Sequence, residues 1–121
     1  MDLTVDSQGR YRIFTLEGKI DWEGARQLDE RIQKEVEAGC TQLAFDLNKV
    51  TFLCSGAIGA LAFNLNKIKK EGGDFYVISS NDYVNYIFST LRFDAMFGGK
   101  FYSSIEDFRA TVLDSTDPPA S

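Results

Sequence analysis

Leu43-Ala44-Phe45-Asp46-Leu47-Asn48-Lys49-Val50-Thr51-Phe52-Leu53-Cys54-Ser55-Gly56-Ala57-Ile58-Gly59-Ala60-Leu61 changes its apolar period part-way along. Leu43, Phe45 and Leu47 alternate as on one face of a strand, whereas Ile58, Leu61, Leu65 and Ile68 follow the spacing of one helical face. The switch falls around Leu53 to Ser55, so a strand over Leu43 to Leu47 is expected to pass through a small polar turn into an amphipathic helix. Lys67, Lys69 and Lys70 suit the negative end of that helix, and Gly72-Gly73 ends it. A helix start presents unpaired N–H groups and the positive end of the helix dipole. A serine there can cap the helix, hold an anion or accept a phosphoryl group.

Working upstream, Leu3 and Val5, then Tyr11, Ile13 and Thr15, read as two strands joined through Ser7-Gln8-Gly9-Arg10, a turn-prone tetrad. Asp21 is placed to cap a helix carrying Ala25, Leu28, Ile32 and Val36 on one face, and Gly39 to close it. Downstream, Phe75-Tyr76-Val77-Ile78 reads as a covered strand. Ser80 or Asn81 caps a helix with Val84, Ile87, Phe88 and Leu91 on one face. Gly98-Gly99 marks a turn and Phe101-Tyr102 a brief strand. Ser103 with Glu106 forms a capping box that opens a last helix from Ile105 to about Leu113.

This order predicts an α/β fold, with a mixed sheet of four to five strands and about four helices. Residues 1–113 form the single domain, and the acidic, proline-bearing 114–121 a disordered C-terminal tail. Sites in such sheets lie where strands run into helices. Two such junctions are small and polar, Gly18 to Glu23 and Leu53 to Gly59.

The 121 residues carry a net charge of -5, which argues against nucleic acid as a partner, since that affinity rests on clustered Lys and Arg. No apolar run approaches the length of a membrane span, and Met1-Asp2-Leu3-Thr4 lacks the pattern of a secretion signal, so a cytoplasmic protein without membrane insertion is expected. With no histidine, and with Cys40 and Cys54 outside any ligand spacing, neither metal nor cofactor is expected and the two thiols are read as free. Cys54 near a helix start could act as a nucleophile, but no histidine serves as its base, so the chain reads as no enzyme. Nucleotide binding at Ser55-Gly56-Ala57-Ile58-Gly59 lacks the lysine of a phosphate loop.

Taken together, Leu16-x-Gly18-x-Ile20-Asp21, then Asp46-Leu47-x-x-Val50-x-Phe52, then Ser55-x-x-Ile58-Gly59-x-Leu61 resemble the STAS family, over about Leu3 to Val112. The family is named for sulphate transporters and anti-sigma-factor antagonists, and the sequence is similar to its stand-alone bacterial antagonists. The resemblance implies a STAS-like domain that regulates transcription by partner switching. The antagonist binds a serine-kinase anti-sigma factor and frees a sigma factor. The kinase phosphorylates a Ser or Thr at the start of the second main helix, and a phosphatase reverses it. A phosphoryl group adds about 1.5 to 2 negative charges in the middle of the interface.

The family pattern Asp-Ser-Ser-Gly-Leu-Gly is altered here. An ungapped match on Val50, Ile58, Gly59 and Leu61 puts Cys54 at the Asp, Ser55 at the first Ser, Gly56 at the acceptor and Ala57 at the first Gly. Either Ser55 is a displaced phosphorylation site, or the surface is kept and phosphorylation control is lost; the second reading is preferred. Thr51 is a weaker candidate acceptor. The expected partner-binding residues are Asp21, Trp22, Cys54, Ser55, Gly56, Ala57 and Gly59, with Trp22 either an exposed anchor or packed on Leu16. Asp46 is read as a strand-end acid, and Tyr83, Tyr86, Phe88, Phe93 and Phe97 as mainly core, with Phe93 and Phe97 the most exposed. The alternative function is a cytosolic STAS adaptor subunit of a membrane transport system. The oligomeric state is not specified.

Overall fold

Gln8 pairs with Tyr11, so Gly9-Arg10 is a two-residue turn joining β1 (Asp2–Gln8) to β2 (Tyr11–Ile20) as an antiparallel hairpin. The structure, a computed structural model, describes residues 1–92 and 101–113. The expectations for Phe93, Phe97, Gly98-Gly99 and 114–121 fall outside the described residues. After β2 come α1 (Trp22–Glu37), β3 (Gln42–Leu53), α2 (Ser55–Lys70), β4 (Asp74–Ile78), α3 (Asp82–Thr90), β5 (Phe101–Tyr102) and α4 (Ile105–Phe108), which continues as a π-helical turn over Arg109–Leu113. The five-stranded sheet runs β1-β2-β3-β4-β5, and only the β1–β2 pair is antiparallel. The α/β architecture, with four helices among the described residues, therefore agrees with the reading of the sequence.

The two faces of the sheet are covered differently. Phe14, Leu16, Ile20, Leu43, Phe45, Phe75 and Val77 face α1, α2 and α3. Tyr11, Ile13, Ala44, Tyr76 and Ile78 face Phe108 and Val112 of the last helix. On the first face Phe45 lies between Phe14 and Phe75, with ring centroids at 4.8 and 4.5 Å. On the second, Phe108 meets Tyr11 and Tyr76 edge-on at 5.8 and 5.3 Å.

β3 is longer than the period-two run predicted. Its core-facing residues are Leu43, Phe45, Leu47, Val50 and Leu53, so the spacing changes from two to three after Leu47. The pairing explains this. Thr15 opposes Asp46 but Glu17 opposes Lys49, and Gly18 opposes Val50 but Lys19 opposes Phe52, so β3 carries one extra residue at each step. Each bulge resets the alternation and keeps an apolar residue inward. Asp46 consequently lies within β3, not at its end, and its Oδ1 accepts from the Asn48 N–H at 3.1 Å beside the first bulge.

Helix ends follow local chemistry closely. Asp21 caps α1 through Gly24 N–H at 3.0 Å. Gly39, at φ +96°, closes α1 in the left-handed conformation, while the Cys40 N–H reaches back to Glu35 O at 2.9 Å. Gly73 is required by space, since a Cβ there would lie 2.1 Å from the Thr41 carbonyl oxygen. Asn81 is the cap of α3. The last cap is Ser104, not Ser103. Ser104 Oγ accepts from Asp107 N–H at 3.0 Å, while the Ser103 carbonyl accepts from Asn48 Nδ2 at 3.4 Å.

Three apolar assignments on α3 are changed. Val84 and Phe88 are buried, but Leu91 is the exposed C-cap, and Tyr83 and Tyr86 stand outside the core. Tyr86 projects to solvent from a helix only nine residues long, Leu91 follows its last turn, and Tyr83 is partly exposed beside β3.

Between α1 and α2 the packing includes a polar seam. Asn64, fully buried, donates to Asp29 Oδ1 at 2.9 Å and to Ala60 O at 2.7 Å, and accepts from Gln33 Nε2 at 2.6 Å. Lys67 Nζ donates to Gln33 Oε1 at 2.8 Å.

Candidate functional site

The two small polar junctions named by the sequence meet at the carboxyl ends of β2 and β3, inside the sheet. β2 and β3 end in register, with Ile20 opposite Leu53, and the Cys54 N–H donates to Ile20 O at 3.0 Å. The caps Asp21 and Cys54 are the next residues, so α1 and α2 start side by side. Cys54, and not Ser55, caps α2. Its Sγ accepts from Ala57 N–H at 3.4 Å, and sulfur is a weak acceptor. Ser55 is the first helical residue and is exposed.

The end of β3 is held from the other side by α3. The Asn81 amide donates to Val50 O at 2.7 Å and Asn48 O at 3.3 Å, while its Oδ1 accepts from Tyr83 and Val84 N–H. The Tyr83 hydroxyl accepts from Leu53 N–H at 3.1 Å. β3 pairs with β4 only from Gln42 to Asp46, and these side chains satisfy the backbone where it leaves that partner. Tyr83 thus buttresses the residue before Cys54, a role its apolar reading missed.

Six of the seven expected partner-binding residues are exposed or half-buried. Asp21, Trp22, Ser55 and Gly59 are exposed, and Cys54 and Gly56 half-buried. Ala57 is not among them. It is fully buried and faces the core, because the first turn of α2 must bury one residue between Cys54 and Leu61. Trp22 takes the exposed alternative at 80% exposure and does not pack on Leu16. Its Cε3 lies 3.8 Å from the position a Cβ on Gly56 would take. Thr51 is exposed within β3.

Trp22 and Phe63 bound a groove of about 470 Å³ between α1 and α2, floored by Ala25, Gly56 and Ala60. Glu23, Arg26 and Asp29 line its α1 side. Arg26 is ion-paired to both Glu23 and Glu30, and its hydrogen bond holds the Glu23 carboxyl below the usual carboxylate range. Phe63, 62% exposed, was not singled out from the sequence. The available signal was its phase, since Gly56, Ala60 and Phe63 repeat at helical spacing along a second side of α2.

Cys40 is buried and Cys54 half-buried, both as free thiols. Among the described residues no group of three or more His, Cys, Asp or Glu side chains could hold a metal, and no helix is long and apolar enough to cross a membrane.

The sequence matches the STAS domain over residues 2–108. No curated protein sequence matches it. Among solved structures, an anti-sigma-factor antagonist from Mycobacterium paratuberculosis superposes with a TM-score of 0.81 at 26% identity, covering 93% of this chain and 94% of its own. A candidate anti-sigma-factor antagonist from Thermotoga maritima gives 0.83 at 20% identity, covering 92% of this chain and 94% of its own. A sulfate transporter family protein from Wolinella succinogenes gives 0.74 at 15% identity, covering 90% of this chain and 91% of its own.

Proposed function

The chain belongs to the STAS domain family, and on that premise we propose that it is an anti-sigma-factor antagonist that binds a serine-kinase anti-sigma factor in a partner-switching system. The observation that carries this reading is the Cys54 N–H to Ile20 O bond, which sets the two helix starts beside each other. Asp21, Trp22 and Ser55 are then exposed on either side of that bond, at the carboxyl ends of the strands where such folds place their sites, and Gly59 is exposed one turn further along α2. The structural likeness to an antagonist at 26% identity supports the same class. The likeness to the Wolinella protein concerns fold, and no feature of the site favours the transport-subunit alternative.

The usual phosphate acceptor position is taken by Gly56, which has no hydroxyl and lies against Trp22. Ser55 precedes it on the exposed side of the helix start. The preferred reading is an antagonist whose contact surface is permanently available, with Ser55 the first candidate for residual control by kinase and phosphatase and the exposed Thr51 a weaker one. The test is incubation of the full chain with the candidate anti-sigma kinase and ATP, followed by intact mass and site mapping, alongside a binding measurement. Binding without a mass change supports the reading. One phosphate on Ser55 restores phosphorylation control, and absence of binding overturns the antagonist assignment.

A further inference from the structure

The groove between α1 and α2 lies beside the helix starts; Gly56 and Ala60 fall within the last motif of the family resemblance, whereas Ala25, Asp29 and Phe63 lie outside all three motifs. Trp22, Ala25 and Asp29 repeat at helical spacing on α1, as do Gly56, Ala60 and Phe63 on α2. Each set spans eight residues, whose seven steps cover about 10 Å of helix axis, the length of two turns of a third helix. Small residues form the floor and an exposed aromatic stands at either end. Such a floor admits bulky apolar side chains from a helix laid into it, read as anchors at i, i+3 or i+4, and i+7.

Charge decides between possible occupants. Residues Ser55 to Asn66 of α2 carry no charge, so the rim charges come from α1. There Glu23 and Asp29 outnumber Arg26, whose guanidinium is already paired with Glu23 and with Glu30 beyond the groove. A second copy would bring an equally acidic rim and a chain of net charge -5 against this one. A basic partner helix meets complementary charge and needs no displacement of Arg26.

We propose that this groove is the docking site for an amphipathic helix of a partner protein that presents apolar anchors flanked by Lys or Arg. The proposal rests on the reading of the chain as a protein-binding module, and it adds where and with what chemistry a partner is held. Trp22 forms one end wall and Phe63 the other, and the acidic rim sets orientation.

The chain contains a single tryptophan, so Trp22 emission reports on the groove directly. The full chain is titrated at physiological salt with a 14-residue peptide of Leu and Lys, Leu at helical one-face spacing. Parallel titrations use the same peptide with Glu for Lys, and with Ser for Leu. The expected result is a saturable blue shift with the Leu/Lys peptide alone, weakened at least about tenfold by Phe63→Ala. Phe63 is largely exposed, so its loss leaves the fold intact, which circular dichroism checks. No saturable shift, an equal response to either control peptide, or indifference to Phe63→Ala overturns the proposal. A blue shift on raising chain concentration without peptide overturns it in favour of a second copy. Failure of the candidate kinase to bind while the Leu/Lys peptide does would refute the antagonist reading and leave the groove standing.

Discussion

Asn64 of α2 is fully buried and donates to the Asp29 carboxylate of α1 at 2.9 Å, joining two helices through residues 35 apart in the chain. The same side chain accepts from Gln33, which in turn accepts from Lys67, so the seam is a connected set. A buried amide costs free energy unless paired, so the seam is favourable in the one helix register that satisfies it. That register fixes the spacing between Trp22 and Phe63.

Asn64→Ala should therefore destabilise the fold by about 1–3 kcal/mol, because it strips a buried side chain and leaves Gln33 and Asp29 without their partner. Urea unfolding should show a lower midpoint with an unchanged slope.

Gly73→Ala should cost about 1–3 kcal/mol through overlap with the Thr41 carbonyl, since both colliding groups are backbone-anchored. Gly59→Ala is its counterpart. Nothing lies within 4 Å of a Cβ there, and alanine in a helix interior should raise stability by about 0.5–1 kcal/mol. Thermal unfolding of the two variants should move in opposite directions.

Cys54→Asp should stabilise the chain by about 0.5–1 kcal/mol, because a carboxylate replaces a weak sulfur acceptor at an N-cap and meets the positive end of the dipole. Chemical denaturation of the reduced protein checks it.

Ser55→Asp places a negative charge at the first helical residue, where the dipole tolerates or favours it by about 0.3–1 kcal/mol. Stability should hold while affinity for the proposed anti-sigma kinase partner falls by at least about tenfold, read by calorimetry. Unchanged affinity would remove Ser55 from the interface.

Burial, reinforced by a hydrogen bond with Tyr11, pushes the Tyr76 hydroxyl well above its usual value of 10.0. In the unfolded chain the phenol ionises near 10, while the folded state holds its proton. Stability should accordingly be level below that pH and fall as pH rises past it. Tyr76→Phe should make the fall shallower in denaturation midpoints measured between about pH 8 and 11.

Much of this molecule was legible because local chemistry settles it. Asp21, Gly39 and Asn81 cap or close their helices as their side chains demand, and Leu28, Ile32, Leu61, Leu65 and Ile68 face the core as their spacing requires. The same local reasoning placed the last cap one residue early, because Ser103 and Ser104 differ only in what each meets across space. It also ended β3 at Leu47, because a bulge is defined by the partner strand and shows in the sequence only as the shift from Leu47 to Val50 and Leu53.

The sequence by itself determined the element order, the family and the two polar junctions. Those depend on apolar period, capping residues and short motifs, which act within a few residues. Tertiary structure alone decided that the junctions touch, that Ala57 turns inward, and that Trp22 and Phe63 line one groove. Those facts follow from strand register and from the Asn64–Asp29 seam, contacts between segments far apart in the chain, for which no local pattern carries the information.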